Sequence, residues 1–397
     1  MKIDIPKNAE LILETLNNAG HKAFVVGGCV RDSLMGKTPT DWDITTSATP
    51  KQTLELFSDG FKVVPTGLKH GTVTVITGGE PFEITTFRTE GEYKDSRRPE
   101  KVEFVDDISL DLSRRDFTVN AMAYNLKSGL VDMFGGRKHL AEKVISCVGE
   151  PDIRFSEDAL RIMRALRFAA CLEFEIEEKT ALSLKKNKHL LGNIAAERIN
   201  TEFVKLICGK KADDILYEYE EVFKEFLKDT EGCWEKAVNL SLKGETALEK
   251  ISLFMTELYA GPEKVRGRMK NLRFDNASVG FAVHLAAHFK EVLPDTVTEM
   301  RKKLTTVPVE VLKLLCRVRE DVSSAEILRE IEEKNLCCKI SQLDISGNDL
   351  INLGVEKGKT VGDVLEKLLN SVIEEKVENK NHALVLYVKE LMEKGEI

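Results

Sequence analysis

Two short stretches near the start of this sequence limit what the chain can become. Phe24-Val25-Val26 is an apolar run ending in Gly27-Gly28, and Asp41 and Asp43 flank Trp42 shortly after it. The first stretch reads as a buried strand, a tight turn and the start of a short helix that Gly36 stops. In an extended segment residues i and i+2 share a face, so Asp41 and Asp43 project together while Trp42 turns toward the core. Close carboxylates repel each other unless cations sit between them. A hard ion such as Mg2+ is held by one or two carboxylates plus substrate phosphates. The glycine turn lets backbone N–H groups approach an anion, with the positive end of the next helix behind them. An anion cradle beside a metal-binding pair describes a nucleotide-using site.

The surrounding pattern is mixed α/β over roughly the first 140 residues. Helical spacing covers residues 8–19, and a strand follows at Ala23–Val26. Thr49-Pro50 opens a helix over 51–57, with Pro50 in the favoured first turn. Thr72–Thr77 and 81–88 read as strands joined at Gly78-Gly79. Alternation from Phe82 turns Glu83 away from the apolar side, where it is either a third acidic group beside the aspartates or an ordinary exposed strand residue. Residues 90–103 are polar and aperiodic, a loop. Arg114 and Arg115 precede Asp116. They are either a surface ion-pair cluster or a source of one guanidinium for a triphosphate, whose oxygens suit its forked donors.

From Ser156 the chain turns helical, with Ser156 read as an N-cap. Asp158, Arg161, Arg164 and Arg167 recur every three residues as one polar ridge, more than a cap requires. Cytosine and adenine both present an amino donor beside a ring-nitrogen acceptor; uracil and guanine present the reverse. A carboxylate only accepts and a guanidinium only donates. Asp158 paired with Arg161 therefore suits C or A and leaves groups unpaired against U or G.

Gly27-Gly28-Cys29-Val30-Arg31-Asp32, Asp41-Trp42-Asp43-Ile44 and Arg114-Arg115-Asp116-Phe117-Thr118-Val119-Asn120-Ala121-Met122 resemble motifs of the DNA polymerase β nucleotidyltransferase superfamily. More narrowly, they resemble the class II tRNA nucleotidyltransferases (CCA-adding enzymes) and bacterial poly(A) polymerases. Glu157-Asp158-Ala159-Leu160-Arg161 resembles the family's Glu-Asp-x-x-Arg motif. The resemblance implies an α+β fold, with an N-terminal nucleotidyltransferase head followed by an all-helical neck, body and tail. It implies Asp41 and Asp43 as Mg2+ ligands, with Glu83 completing the catalytic carboxylates. Gly28, Arg31 and Arg115 would hold the triphosphate, and Arg164 and Arg167 would join Asp158 and Arg161 in nucleotide binding. Residues 90–103 match the flexible loop of CCA- and A-adding enzymes, and the Glu197-Arg198 segment matches one that buttresses the neck. CTP and ATP are the implied substrates and a tRNA ending in CCA the implied product.

Turn composition and resemblance together set expected boundaries: head 1–140, neck 141–210, body 211–330 and tail 331–397. The net charge of −8 argues against global capture of nucleic acid, so tRNA would meet local basic clusters such as Arg266, Arg268, Lys270 and Arg273. It also disfavours generic RNA tailing. Eight scattered cysteines without a Cys-x-x-Cys pair read as reduced thiols. No apolar run approaches a membrane span, and the opening residues lack a signal-peptide core, so the expected location is the cytoplasm. The oligomeric state is open, a homodimer included. The rival readings are an A-adding enzyme or poly(A) polymerase, a small-molecule nucleotidyltransferase, and a non-catalytic tRNA-binding protein.

Overall fold

The computed structural model describes residues 2–91 and 102–397, which divide into two compact units at Thr230 and Glu231. That division falls inside the stretch 211–330.

The first unit opens with α1 (Lys7–Asn18), β1 (Ala23–Val26), α2 (Gly28–Leu34), β2 (Ile44–Thr46) and α3 (Pro50–Phe57). β3 (Lys62–Gly67), β4 (Thr72–Thr77) and β5 (Glu80–Thr86) follow, then the short antiparallel pair β6 (Arg88–Glu90) and β7 (Val102–Phe104). The expected loop over 90–103 is therefore framed by strand at both ends; residues 92–101 lie outside the described residues. Next come α4 (Ile108–Ser113), β8 (Met122–Asn125), β9 (Gly129–Asp132) and α5 (Gly136–Glu142). Seven strands form one mixed sheet in the order β3-β4-β5-β2-β1-β8-β9. The β2–β5 pair is parallel, and every other neighbour is antiparallel.

Strand alternation gives the sheet two faces with different cover. Ala23, Val25, Ile44, Val75, Phe82 and Ile84 point into a core closed by Ile12 and Leu16 of α1, Val30 of α2 and Phe57 of α3. Phe24 and Val26 point the other way and meet Ile108 and Leu112 of α4. α3 starts as the sequence suggests: Thr49 and Gln52 form a reciprocal capping box ahead of Pro50.

Helices then continue: α6 (Pro151–Glu157), α7 (Leu160–Leu172), α8 (Glu178–Asn187), α9 (Ala196–Ile207) and α10 (Ala212–Glu218). Ser156 is not an N-cap. Pro151 opens a separate helix in which Ser156 is interior, and Asp158 sits at its extended C-cap. The ridge is thus interrupted between Asp158 and α7. Glu197 and Arg198 lie in the first turn of α9 rather than ahead of it.

The second unit, Glu231–Ile397, is helical throughout its secondary structure and holds two cores, one around Leu312 and Leu315 and one around Leu350, Leu368 and Leu384. Arg301, only 4% exposed, joins them. Its guanidinium donates to the carbonyls of Cys337 (3.0 and 3.1 Å), Val372 (3.2 Å) and Ile373 (3.2 Å). The last two carbonyls end the helix Lys359–Ile373, beyond the reach of its i→i−4 ladder, and that of Val372 also accepts from the Glu375 amide (3.3 Å). Arg301→Met strands these acceptors in a dry interior, so it should destabilise this unit by about 3 kcal/mol, read as a lower denaturant midpoint for the full chain. An unchanged midpoint would show that water replaces the guanidinium.

Candidate active site

Register fixes the face that carries the chemistry. Ile44 of β2 pairs with Ile84 of β5, so the preceding residues place Asp43 beside Glu83 on neighbouring strands. Ile44, Phe82 and Ile84 enter the core under α1; Asp43 and Glu83 take the opposite face, and both are exposed. Trp42 packs on that same core, which leaves Asp41 on the side of Asp43. A hydrogen bond from the Val26 amide to the Asp43 carbonyl (3.0 Å) ties this segment to the end of β1, and one from the Gly27 amide to Met122 O (3.0 Å) ties the turn to β8.

The pKa of Asp43 is raised. Removal of surrounding water is the main cause, Arg115 opposes it, and the charges of Glu83 and Asp41 add to the rise. Asp43 is open to solvent by area, but the protein crowding its other sides keeps water from screening these charges fully. Among the described residues, Asp41, Asp43 and Glu83 form no ion pair. This all-oxygen, mutually repelling set fits a hard divalent cation. No group of three His, Cys, Asp or Glu side chains among the described residues could cage a metal unaided, so a bound ion would take its remaining ligands from substrate oxygens and water.

The turn requires glycine at Gly27 rather than at Gly28. Gly27 has φ +82°, and a Cβ there would lie 3.0 Å from Arg115 Nη1, whereas one on Gly28 would make an ordinary 3.7 Å contact with Arg31. Arg115 therefore lies over the turn. Asp111 of α4, fully buried, aims it: this carboxylate pairs with Arg114 at 2.7 Å and Arg115 at 3.5 Å and accepts from Thr45 Oγ1 at 3.3 Å. Burial alone would raise the Asp111 pKa, but the two guanidiniums bring it below the ordinary carboxylate value. Arg115 Nε is buried and has no hydrogen-bond partner.

A second group of cations surrounds Phe168 of α7. The guanidinium carbons of Arg31, Arg164 and Arg167 lie 5.2, 5.3 and 3.8 Å from its ring centre, an aromatic face shared by three cations. Carboxylates hold them in place. Arg31 pairs with Asp32 (2.8 Å) and donates to Asn120 Oδ1 (2.6 Å); Asn120 donates to Asp116 (3.2 Å); Asp116 pairs with Arg164 (2.6 Å). Glu202 of α9 binds Arg167. Hydrogen bonds thus run continuously from α2 to α7, and Arg115, next to Asp116 in the chain, joins them to the carboxylate face.

Asp158 and Arg161 do not bond to each other. Arg161 is 7% exposed and binds Glu157 Oε2 (2.6 Å), Arg154 O (3.1 Å) and Arg114 O (2.9 Å). Asp158 instead accepts from Leu160 N (3.1 Å) and from both terminal nitrogens of Arg198 (3.0 and 3.4 Å). The reason is the break between α6 and α7, which removes Asp158 from the helical ladder that an i,i+3 pair needs. Sequence reasoning missed Asp111, whose i+3 and i+4 arginines were a visible signal. It also missed Asp116, Asn120 and Glu202 as groups that orient the cations, and Arg198 as the partner of Asp158. Forty positions separate the last pair, and no local pattern marks it.

Comparison with known proteins agrees along the chain. Residues 23–146 match the family described as Poly A polymerase head domain, 173–228 the probable RNA and SrmB-binding site of polymerase A, and 242–388 the tRNA nucleotidyltransferase domain 2. The chain is 36% identical to the CCA-adding enzyme of Bacillus cytotoxicus, over 97% of this chain and 98% of that one. It is also 36% identical to the CCA-adding enzyme of Lactobacillus helveticus, over 98% of each. The crystal structure of the Bacillus stearothermophilus CCA-adding enzyme with CTP superposes with a TM-score of 0.78 at 28% identity, covering 98% of both chains. The Thermotoga maritima CCA-adding enzyme complexed with tRNA shares the fold, with a TM-score of 0.69 at 23% identity over 98% of this chain and 97% of that one.

Proposed function

Since the chain belongs to the CCA-adding tRNA nucleotidyltransferases, we infer that the groups described above divide that one reaction between them. The protein is a tRNA nucleotidyltransferase that adds CCA from CTP and ATP without a nucleic-acid template. Asp41 and Asp43 are assigned as the ligands of a divalent ion, Mg2+ by its preference for carboxylate, phosphate and water oxygens, with Glu83 as the neighbouring carboxylate. When bound, such ions lower the pKa of the attacking hydroxyl and neutralise charge on the leaving pyrophosphate. Gly27 and Gly28 bring backbone amides to the triphosphate, and Arg115 sets its guanidinium over the same turn. Arg31, Arg164 and Arg167 provide a cationic wall, prevented from collapsing onto the carboxylates by their own anionic partners. Asp158 and Arg161 are assigned to the base edge of C or A, the carboxylate accepting from the amino group and the guanidinium donating to the ring nitrogen. The stretches 1–140, 141–210, 211–330 and 331–397 are kept as head, neck, body and tail. A tRNA substrate supports the cytoplasm as the proposed location; no helix among the described residues is long and apolar enough to cross a membrane.

The observation that carries this assignment is the placement of Asp43 beside Glu83 on one sheet face, with Arg115 reaching over the Gly27 turn. The test uses tRNA lacking CCA and tRNA ending in CC, each with CTP, ATP or both. We expect CTP incorporation onto the first, ATP onto the second, and full-length ends only with both. Incorporation of ATP onto the CC-ended substrate alone would replace CCA addition by A-addition. Uniform tailing of unrelated RNA would favour a poly(A) polymerase.

A further inference from the structure

We propose that Asp111 holds Arg115 only until a nucleotide binds, and that Thr45 then donates its hydroxyl to the carboxylate oxygen that Arg115 leaves. Thr45 is thereby a positioning residue for triphosphate binding. The proposal rests on the assignment of Arg115 to the triphosphate.

Asp111 carries a single negative charge and faces two guanidiniums, so one of them is surplus. The two are not held alike. Arg114 donates to Oδ1 through Nη2 (2.7 Å) and Nε (3.0 Å), and the Arg88 amide reaches the same oxygen at 3.4 Å. Arg115 meets the other oxygen, Oδ2, at 3.5 Å, and its own buried Nε has no hydrogen-bond partner. Arg114 therefore neutralises the buried carboxylate by itself, and Arg115 can leave without stranding a charge. The Arg115 side chain keeps 21% of its surface exposed, and its Nη1 already lies over the Gly27 turn. Phosphate oxygens suit its fork of donors better than one distant carboxylate oxygen does.

Departure of Arg115 has one cost. Asp111 and Thr45 are both fully buried, so Oδ2 would lose a partner that solvent does not replace. Thr45 is placed to prevent this. Its Oγ1 lies 3.3 Å from Oδ2 and 3.1 Å from the Thr85 carbonyl oxygen. A hydroxyl has one proton to donate, so it satisfies one of these acceptors at a time. With Arg115 on Oδ2, the proton goes to Thr85. With Arg115 on the triphosphate, rotation of the hydroxyl brings it to Asp111. Thr45 also follows Asp43 by two residues along the same strand face, so the segment that carries Asp43 and the cation over the turn share one buried carboxylate.

The test measures the dissociation constant of CTP with Mg2+ for the full-length protein, by calorimetric titration without tRNA, and kcat and KM on tRNA lacking CCA. Thr45→Val keeps the shape and removes the hydroxyl. It should raise Kd and KM for CTP about tenfold, as expected for a lost hydrogen bond to a charged group, with kcat within about twofold of wild type. Thr45→Ser should recover most of the affinity. In Arg115→Met no cation leaves Oδ2 on binding, so adding Thr45→Val there should change Kd by less than about twofold further. If Thr45→Val does not fold, Thr45→Ala takes its place in both backgrounds. A Thr45 effect that persists undiminished in Arg115→Met would show a merely structural role and overturn the proposal. Wild-type affinity in Thr45→Val, with weakened binding in Arg115→Met, would overturn the role of Thr45 while leaving Arg115 on the triphosphate. Wild-type affinity in Arg115→Met would overturn the assignment of Arg115 itself.

Discussion

Asp43→Asn should lose nucleotidyl transfer by about a thousandfold or more, and the same variant should unfold at a higher temperature than wild type in metal-free buffer at neutral pH. Both effects come from one cause. Asp43 is ionised in a place where lost hydration and the charges of Glu83 and Asp41 oppose ionisation, and Arg115 compensates only in part. The folded state therefore holds the Asp43 proton more tightly than the unfolded chain does. This carboxyl imposes no penalty on folding below its ordinary pKa of 3.8. The penalty grows as pH rises from there through the raised folded value. Asparagine removes it. The stability difference between variant and wild type should accordingly shrink as pH falls toward 3.8. Adding Mg2+ with CTP should stabilise wild type and narrow the difference from the other side. A variant that keeps activity, or one less stable than wild type in metal-free buffer at pH 7, would show that the carboxylates are not held in the strained arrangement described.

Asp116→Ala should produce the largest loss of stability in the first unit, about 3 kcal/mol, together with impaired catalysis. Burial alone would push the Asp116 carboxyl up. Arg164, Asn120 and the Phe117 amide outweigh it and hold the pKa at about 2. The sign is the reverse of that at Asp43. The stabilisation is fully present above the ordinary value of 3.8 and disappears as pH falls through about 2. The substitution leaves Arg164 with the Phe168 ring and a distant carboxylate, Glu202 at 3.8 Å, and breaks the route from Asn120 to α7. The KM for CTP should rise along with the loss of stability, because Arg164 and Arg31 both lose their orientation. Chemical denaturation at pH 7 and at pH 3 separates the two contributions: the cost of Asp116→Ala should be smaller at the lower pH. An equal cost at both would mean that packing, not charge, carries the effect.

These two carboxylates differ in how visible they are in the sequence. Asp43 belongs to a pattern with a local cause. A period of two sets the face, glycines mark the turn, and the apolar residues on either side of the pair say which way it points. The same holds for the strands at Ala23–Val26 and Thr72–Thr77 and for the Thr49-Pro50 helix start, all of which the chain forms. Asp116 lies in a quoted motif, yet nothing local reveals that it serves Arg164, 48 positions later. The helix expected from Ser156 illustrates the opposite error. Ser156 has the right chemistry for a cap and Glu157 and Asp158 the right charges, but Pro151 starts a helix earlier, and the resulting break between α6 and α7 turns Asp158 toward α9.

The sequence by itself determined the alternation that sends Asp41, Asp43 and Glu83 to one side of a sheet, the glycine turn beside them, and the helical remainder of the chain, because each depends on side-chain periodicity and backbone freedom over a few residues. Only the tertiary structure decided which cation each anion holds: Arg115 by Asp111 over Gly27, Arg164 by Asp116, Arg198 by Asp158. Long charged side chains choose partners by proximity after the elements have packed, and an ion pair between helices leaves no periodic trace in either one.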